Sequence, residues 1–297
     1  MTTEQIDPGS IVVGADGSED GDRALRWAAE QAFLERRPLT IVTATGSPGV
    51  PVVTPDLVDH ARAVAEAARA VAEHLHPGLD VATAVRVGDA RQVLVDLSRR
   101  VHLIVLGSRG RGVFRSTVLG SVSAAVSRDA ACPVVVCRPE RRRTGEPYRG
   151  VLVGADGTAE SLPVIEFAFQ QASLHRLPLT VVHAMWDELA TAHLPVEVSA
   201  DTQGLEEQRL LLAESVAGMA SKFPEVSVEQ LLARGLPEEC LAADSSAWDL
   251  VVVGRHPVDT VLRLLSGAVA TTVVERARTV VAVVPQSDPS PDPTSRS

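Results

Sequence analysis

Val12-Val-Gly-Ala-Asp-Gly-Ser18 occurs again, 140 residues on, as Leu152-Val-Gly-Ala-Asp-Gly-Thr158. Pro38-Leu-Thr-Ile-Val-Thr-Ala44 returns at the same offset as Pro178-Leu-Thr-Val-Val-His-Ala184. Leu103-Ile-Val-Leu-Gly107 returns as Leu250-Val-Val-Val-Gly254, now 147 residues on, so the second copy carries about seven more residues between its second and fourth strands. A 297-residue chain that repeats itself this way holds two copies of one domain of ordinary size. The expected division is a domain over 1–140, a linker over 141–148, a second domain over 149–285 and a Ser/Pro/Asp-rich tail over 286–297 expected to be disordered.

Each copy reads as strands alternating with helices. In the first, strands are expected near 10–14, 39–45, 79–86, 102–107 and 133–137. Helices are expected near 18–35, 55–76, 90–100 and 119–130. The first helix carries Ala24, Leu25, Ala28, Ala32 and Phe33 at helical spacing, with Ser18 as its cap. The second copy repeats the pattern, with strands near 150–154, 179–185, 226–233, 249–254 and 280–284 and helices near 158–175, 203–222, 237–246 and 265–277. With aromatics at 3%, the core must come from Val, Leu, Ile and Ala. The fold class is therefore α/β, with two doubly wound parallel five-stranded sheets. In such sheets a ligand sits beyond the carboxyl ends of the strands, where the strand order reverses. Strand order 3-2-1-4-5 would bring strands one and four together at that point. The loops there are Gly14-Ala15-Asp16-Gly17 and Gly107 to Gly120.

The second loop is built for an anion. The apolar run Leu103–Leu106 ends at Gly107, and Ser108-Arg109-Gly110-Arg111-Gly112 follows. Arg115 adds a third cation, and an apolar helical pattern opens near Leu119 after Gly120-Ser121-Val122-Ser123. Glycines let backbone N–H groups approach a phosphate, and a helix N-terminus adds partial positive charge. Ser121 and Ser123 could add hydroxyl donors. The spacing G-x2-G-x9-G-S lacks the Gly-Lys-Ser/Thr of a P-loop and is not a G-x-G-x-x-G dinucleotide fingerprint.

This spacing, in its strand-to-helix context, resembles the nucleotide-binding signature of the universal stress protein family, and the resemblance to tandem members runs from about Ile11 to Val284. It implies an adenine-nucleotide alpha-hydrolase-like fold with strand order 3-2-1-4-5. It also implies ATP as ligand, with or without Mg. Carried over by position, it puts Ala15 and Asp16 at the nucleoside and Ala44 near adenine. It puts Gly107, Arg109, Gly110, Gly120, Ser121, Val122 and Ser123 around ribose and phosphates. A strand-end carboxylate such as Asp16 can accept from ribose hydroxyls, although Ala-Asp-Gly-Ser is also an ordinary turn sequence. The second copy departs from the pattern. It reads Gly254-Arg-His-Pro257, then Gly267-Ala268 after nine residues, so proline replaces a glycine and alanine a serine. Proline has no N–H and alanine no hydroxyl, so this copy is expected to bind ATP poorly.

Charge points the same way. Residues 1–147 hold 18 basic and 18 acidic side chains, so the remainder carries the whole net −10. An acidic balance disfavours nucleic acid as partner. Arg141-Arg142-Arg143 falls in the Gly/Pro joint and reads as solvated linker. No apolar run approaches the roughly 20 residues of a membrane helix, and the N-terminus shows no export signal, so a cytoplasmic location is expected. Cys132, Cys137 and Cys240 lack metal or disulfide spacing and read as small core or strand-end residues. His102 reads as a surface histidine and His183 as a packed or hydrogen-bonded one. No catalytic constellation stands out. The leading reading is an ATP-binding regulatory protein of the stress response, acting on an unknown protein partner. An ATP-consuming enzyme of similar fold and a scaffold with vestigial sites stay open beside it. The enzyme class would need Ser-Gly-Gly-x-Asp-Ser or His-x-Gly-His, and the chain has neither.

Both last strands, Pro133–Cys137 and Val280–Val284, are apolar edge strands that invite pairing. The halves are thus expected to form an intramolecular pseudo-dimer, with a homodimer as a further arrangement. Either half expressed alone should then fail to run as a stable monomer in size exclusion with light scattering. Two well-behaved monomers would remove the expectation.

Overall fold

The computed structural model describes residues 6–46, 54–110, 119–139, 149–185, 196–197, 205–256 and 261–287, the side chains of 196–197 and 261–268 excepted. Arg111, Gly112, Arg115, the 141–148 linker with its three arginines, Pro257 and the tail beyond Ser287 lie outside the described residues, as do the side chains of Gly267 and Ala268. The chain forms two compact units, residues 1–144 with 274–283 and residues 145–273 with 284–297.

The first unit runs β1 (Ile11–Gly14), α1 (Glu19–Glu35), β2 (Leu39–Gly46), α2 (Pro55–Leu75), β3 (Val81–Asp89), α3 (Ala90–Leu97), β4 (Leu103–Gly107), α4 (Ser121–Asp129) and β5 (Val134–Cys137). Its strands lie in the order β3-β2-β1-β4-β5. Neighbours are parallel, with Ile11 opposite both Leu39 and Leu103. The central strands are buried on both faces. Ile11, Val12, Val13, Leu103, Ile104 and Val105 have no exposed surface. That explains their unbroken apolar runs. Helix packing relies on alanine: Ala61, Ala65, Ala68 and Ala72 form the buried stripe of α2, and Ala24, Ala28, Ala29 and Ala32 that of α1.

Helix α1 starts where Ser18 Oγ accepts from the Gly21 N–H, with Glu19, Asp20 and Asp22 in its first turn complementing the helix dipole. It stops at Arg36, in the left-handed conformation at φ 56°, and Arg176 does the same in the second unit at φ 55°. Glu35, at this end, is held below the ordinary carboxylate range. Burial pushes its carboxyl up, but hydrogen bonds from His102 and Gln31 and the charge of Arg37 outweigh it. His102 is thus paired, its Nε2 3.0 Å from Glu35 Oε2, rather than the plain surface histidine its sequence suggested.

The second unit runs β6 (Val151–Gly154), a 3-10 turn (Ala159–Ser161), α5 (Leu162–His175), β7 (Leu179–Met185), β8 (Val196–Glu197), α6 (Glu206–Lys222) and β9 (Val228–Arg234). It continues with α7 (Pro237–Ala242), a second 3-10 turn (Ser245–Ala247), β10 (Leu250–Arg255) and α8 (Val261–Arg276), whose residues from Val274 count with the first unit. Its strands lie in the order β10-β6-β7-β9-β8, with the two-residue β8 antiparallel to β9 inside the extra residues of this copy. The last strand, β11 (Val280–Pro285), counts with the first unit up to Val283. It runs antiparallel to β5, Val281 opposite Val136 and Val283 opposite Val134.

Gly107 sets the distance between α1 and β4. A Cβ there would lie 2.5 Å from the Asp20 carbonyl carbon and 2.6 Å from its oxygen. Gly218, exposed within α6, would meet nothing within 4 Å. One substitution should therefore act with opposite signs. Gly107→Ala should cost about 2 kcal/mol or more through forced backbone displacement. Gly218→Ala should stabilise by about 0.5–1 kcal/mol through helix propensity. Urea unfolding of the two variants is the check.

Candidate functional site

In the first unit a cavity of about 550 Å³ opens at the carboxyl ends of β1 and β4. Ala15, Asp16, Ala44, Gly107, Arg109, Gly110, Gly120, Ser121, Val122 and Ser123 all line it. The structure thus brings together all ten residues that the sequence singled out. Val42, Leu94 and Leu106 complete an apolar wall.

The wall and Asp16 make one end. The Ala15 N–H donates to Val42 O at 2.9 Å, which fixes the turn after β1. Asp16 Oδ1 accepts from Ser18 N at 3.0 Å and Ser18 Oγ at 2.6 Å, so the carboxylate does serve the turn. Its other oxygen faces the glycine loop: a Cβ on Gly110 would lie 2.7 Å from Asp16 Oδ2. A side chain there would have to displace that carboxylate oxygen. Asp16 thus serves the turn while also lining the cavity.

The N-terminus of α4 makes the other end. Its N-cap is Gly120, which offers no side chain to the first turn. The first N–H groups of a helix have no acceptor within it, so those of Ser121, Val122 and Ser123 form a donor set with partial positive charge. By contrast α1 and α3 are capped, by Ser18 and by Asp89, which accepts from Arg91 N at 3.0 Å.

Several of these residues also have partners within the protein. The Ser123 hydroxyl donates to Gly107 O at 2.6 Å, so its one proton is committed. The Gly120 N–H donates to Ser108 O at 2.7 Å and closes the loop on itself. Gly107 lines the cavity and also lies against α1, where a Cβ would meet the Asp20 backbone. Arg109, read as a phosphate partner, lines the cavity with its side chain 42% exposed, and its Nε donates to Asp20 Oδ2 at 3.2 Å.

Asp20 and Ser108 were missed by sequence reasoning. Asp20 is 5% exposed and also accepts from Ser108 Oγ at 2.6 Å and from Arg23. Burial pushes its carboxyl up, but these bonds outweigh it and hold the group below the ordinary range. The signal was available. Glu160 stands 140 residues after Asp20, and His256 stands 147 residues after Arg109. An acid and a base thus recur at matching positions.

The corresponding cavity of the second unit is about 200 Å³. Asp156 Oδ1 repeats the turn, accepting from Thr158 N at 2.9 Å and Thr158 Oγ1 at 2.7 Å. Its Oδ2 accepts from Gln286 Nε2 at 3.2 Å, and His256 Nε2 lies 3.7 Å away. His256 Nδ1 lies 3.5 Å from Glu160 Oε2. His183 is hydrogen-bonded, its Nδ1 2.9 Å from Ala155 O. Cys132 and Cys137 are buried and Cys240 is half-buried, its thiol pushed up to about 11 by burial. Among the described residues no helix is long and apolar enough to cross a membrane.

A model of the universal stress protein family matches residues 9–138 and again 147–285. The chain belongs to the universal stress protein family. Its two copies are two universal stress protein domains in tandem. A universal stress protein of Mycobacterium tuberculosis is 35% identical over 295 residues, covering 93% of this chain and 96% of that one. One of Mycolicibacterium smegmatis is 32% identical over 285 residues, covering 92% and 96%. The crystal structure of a universal stress protein from Archaeoglobus fulgidus covers 95% of this chain and 98% of its own, with a TM-score of 0.68 at 17% identity, and shares the fold.

The Asp20 network carries a pH dependence. A folded carboxyl that titrates below the ~3.9 of an unfolded aspartate contributes stability that is fully present above that value and is lost as pH falls through the folded one. Urea unfolding at neutral pH and near pH 3 should show a larger acid loss in the wild type than in Asp20→Asn. Glu35 titrates in both proteins, so the difference isolates Asp20. Equal losses would show that the carboxylate contributes nothing.

Proposed function

We propose that this universal stress protein binds ATP, with or without Mg, mainly in its first unit, and acts as a cytoplasmic regulator of a stress response through a protein partner. One observation carries the reading. A single cavity joins an apolar slot with a carboxylate to an uncapped helix N-terminus with an arginine beside it. Those ends suit a nucleobase with its ribose and a polyphosphate, respectively. The volume of about 550 Å³ is that of an ordinary ligand pocket, whereas about 200 Å³ falls below that range. Val42, Ala44 and Leu94 would face the base and Asp16 the ribose hydroxyls. The N–H groups of Ser121, Val122 and Ser123, with Arg109, would face the phosphates.

The second unit is proposed as the weak site. Pro257 and Ala268 stand where the first copy has Gly110 and Ser121. Gln286 already donates to Asp156, and His256 lies 3.7 Å from it. All the net negative charge falls in the same half. Losing one hydrogen bond to a charged phosphate costs roughly 1.5–3 kcal/mol, so two such losses weaken binding about a hundredfold.

Calorimetry should therefore give one tight ATP per chain. Gly120→Ala should remove most of the binding, because a Cβ would lie 3.3 Å from Ser108 O and force the loop closure apart. Gly267→Ala should change little. Two sites of similar affinity, or equal damage from both substitutions, would overturn the asymmetry. If neither mattered, the glycine loop would be a turn and the scaffold reading would lead. Steady ATP turnover with a defined acceptor would instead favour the enzyme.

A further inference from the structure

We infer that Asp20 is a positioning residue of the first site: it touches no ligand, but holds Ser108–Gly110 in the register that binds phosphate. This rests on the reading of the cavity as a polyphosphate site. Asp20 does not line the cavity, and neither does Ser108, which is 1% exposed. Both lie directly behind it.

Ser108 is held at three atoms. Its N–H donates to Cys137 O at 2.8 Å, its carbonyl accepts from Gly120 N at 2.7 Å, and its hydroxyl donates to Asp20 Oδ2 at 2.6 Å. The same carboxylate oxygen accepts from Arg109 Nε at 3.2 Å, while Oδ1 accepts from Arg23. One buried carboxylate thus ties the first two loop residues to the first turn of α1. Neutralising that carboxylate weakens the hold on the buried Ser108 hydroxyl and leaves two half-exposed arginines without their counter-charge. The approach is also fixed sterically, since Gly107 has no Cβ where the Asp20 backbone lies.

The repeat keeps the two positions. Glu160 and His256 stand where the first copy has Asp20 and Arg109, with His256 Nδ1 3.5 Å from Glu160 Oε2 and no hydrogen bond between them. An acid on the first turn after the strand-one loop and a base after the strand-four glycine thus recur although the loop sequence beyond has changed.

Electrostatics and positioning predict opposite signs, which makes the inference testable. Asp20 is an anion close to a proposed anion site. If charge alone mattered, Asp20→Asn would free Arg109 and tighten ATP. If positioning dominates, ATP binding weakens. Calorimetry on the full-length chain should show wild type binding ATP, Asp20→Asn binding it about tenfold more weakly, and adenosine binding equally well to both. Asp20→Glu, which takes the acid of the second copy, should restore ATP affinity to within about threefold. Failure of the wild type to bind ATP would sink the functional reading instead. With wild-type binding intact, unchanged or tighter ATP binding in Asp20→Asn, or an equal loss of adenosine, overturns the positioning role. So does failure of Asp20→Glu to rescue. Should Asp20→Asn not fold, Ser108→Ala carries the test: it removes only the hydroxyl that Asp20 holds, and should weaken ATP several-fold while leaving adenosine unchanged. Wild-type ATP affinity in Ser108→Ala overturns the inference.

Discussion

The first turn of α1 lies against the end of β4 at backbone distance. Gly107 permits the approach, and the Asp20 carboxylate fastens it by accepting from Ser108, Arg109 and Arg23. Much of the site follows from this contact. It fixes where β4 ends and where the loop to α4 begins. The closing bond from Gly120 N to Ser108 O then fixes where that loop returns. Helix α4 starts at once, with a glycine as N-cap, so no side chain among the described residues caps its first N–H groups. A buried carboxylate is costly unless it is fully bonded. Three donors meet that cost here, two of them from the first two residues of the loop.

The second unit repeats the frame with a smaller cavity. Its strands repeat those of the first, and Asp156 with Thr158 repeats the turn of Asp16 with Ser18. Its helix begins later, at Leu162 after a 3-10 turn, with Pro163 in the first turn. At Gly254, the counterpart of Gly107, the nearest groups are the Gln286 amide and Val164 rather than helix backbone. The chain leaving β11 binds the site from outside: Gln286 N–H donates to Arg255 O at 2.9 Å and Ser287 N–H to Glu160 O at 3.1 Å. Gln286 and His256 thus stand among the residues lining the smaller cavity.

Family, fold class and the residues around the larger cavity were legible in the sequence for a plain reason. Doubly wound sheets bury their central strands on both faces, so those strands read as unbroken Val/Ile/Leu runs, and a repeat offers every run twice. The glycine spacing was legible because backbone approach tolerates no Cβ, whatever the approaching group is. The identity of that group was not legible. Gly107 serves helix packing, Gly110 the Asp16 carboxylate, and Gly120 the loop closure, and one letter stands for all three.

Side-chain partnerships across distant sequence lay beyond the sequence for the same reason. Asp20 and Ser108 are 88 positions apart, and nothing in either neighbourhood marks the bond between them. Ser123 looked like a hydroxyl donor for a ligand, but its hydroxyl donates to Gly107 O, sixteen residues back at the end of β4. The sequence by itself determined two copies of an α/β domain, the loops that meet at the strand ends, and which copy kept its glycines. Those are properties of periodicity and of missing side chains, and they are local. Tertiary structure alone decided that a carboxylate outside the cavity holds the loop, that Gln286 occupies the second site, and that residues 274–283 count with the first unit. Those depend on which buried polar groups and strand edges come into reach of one another, and only the packed chain settles that.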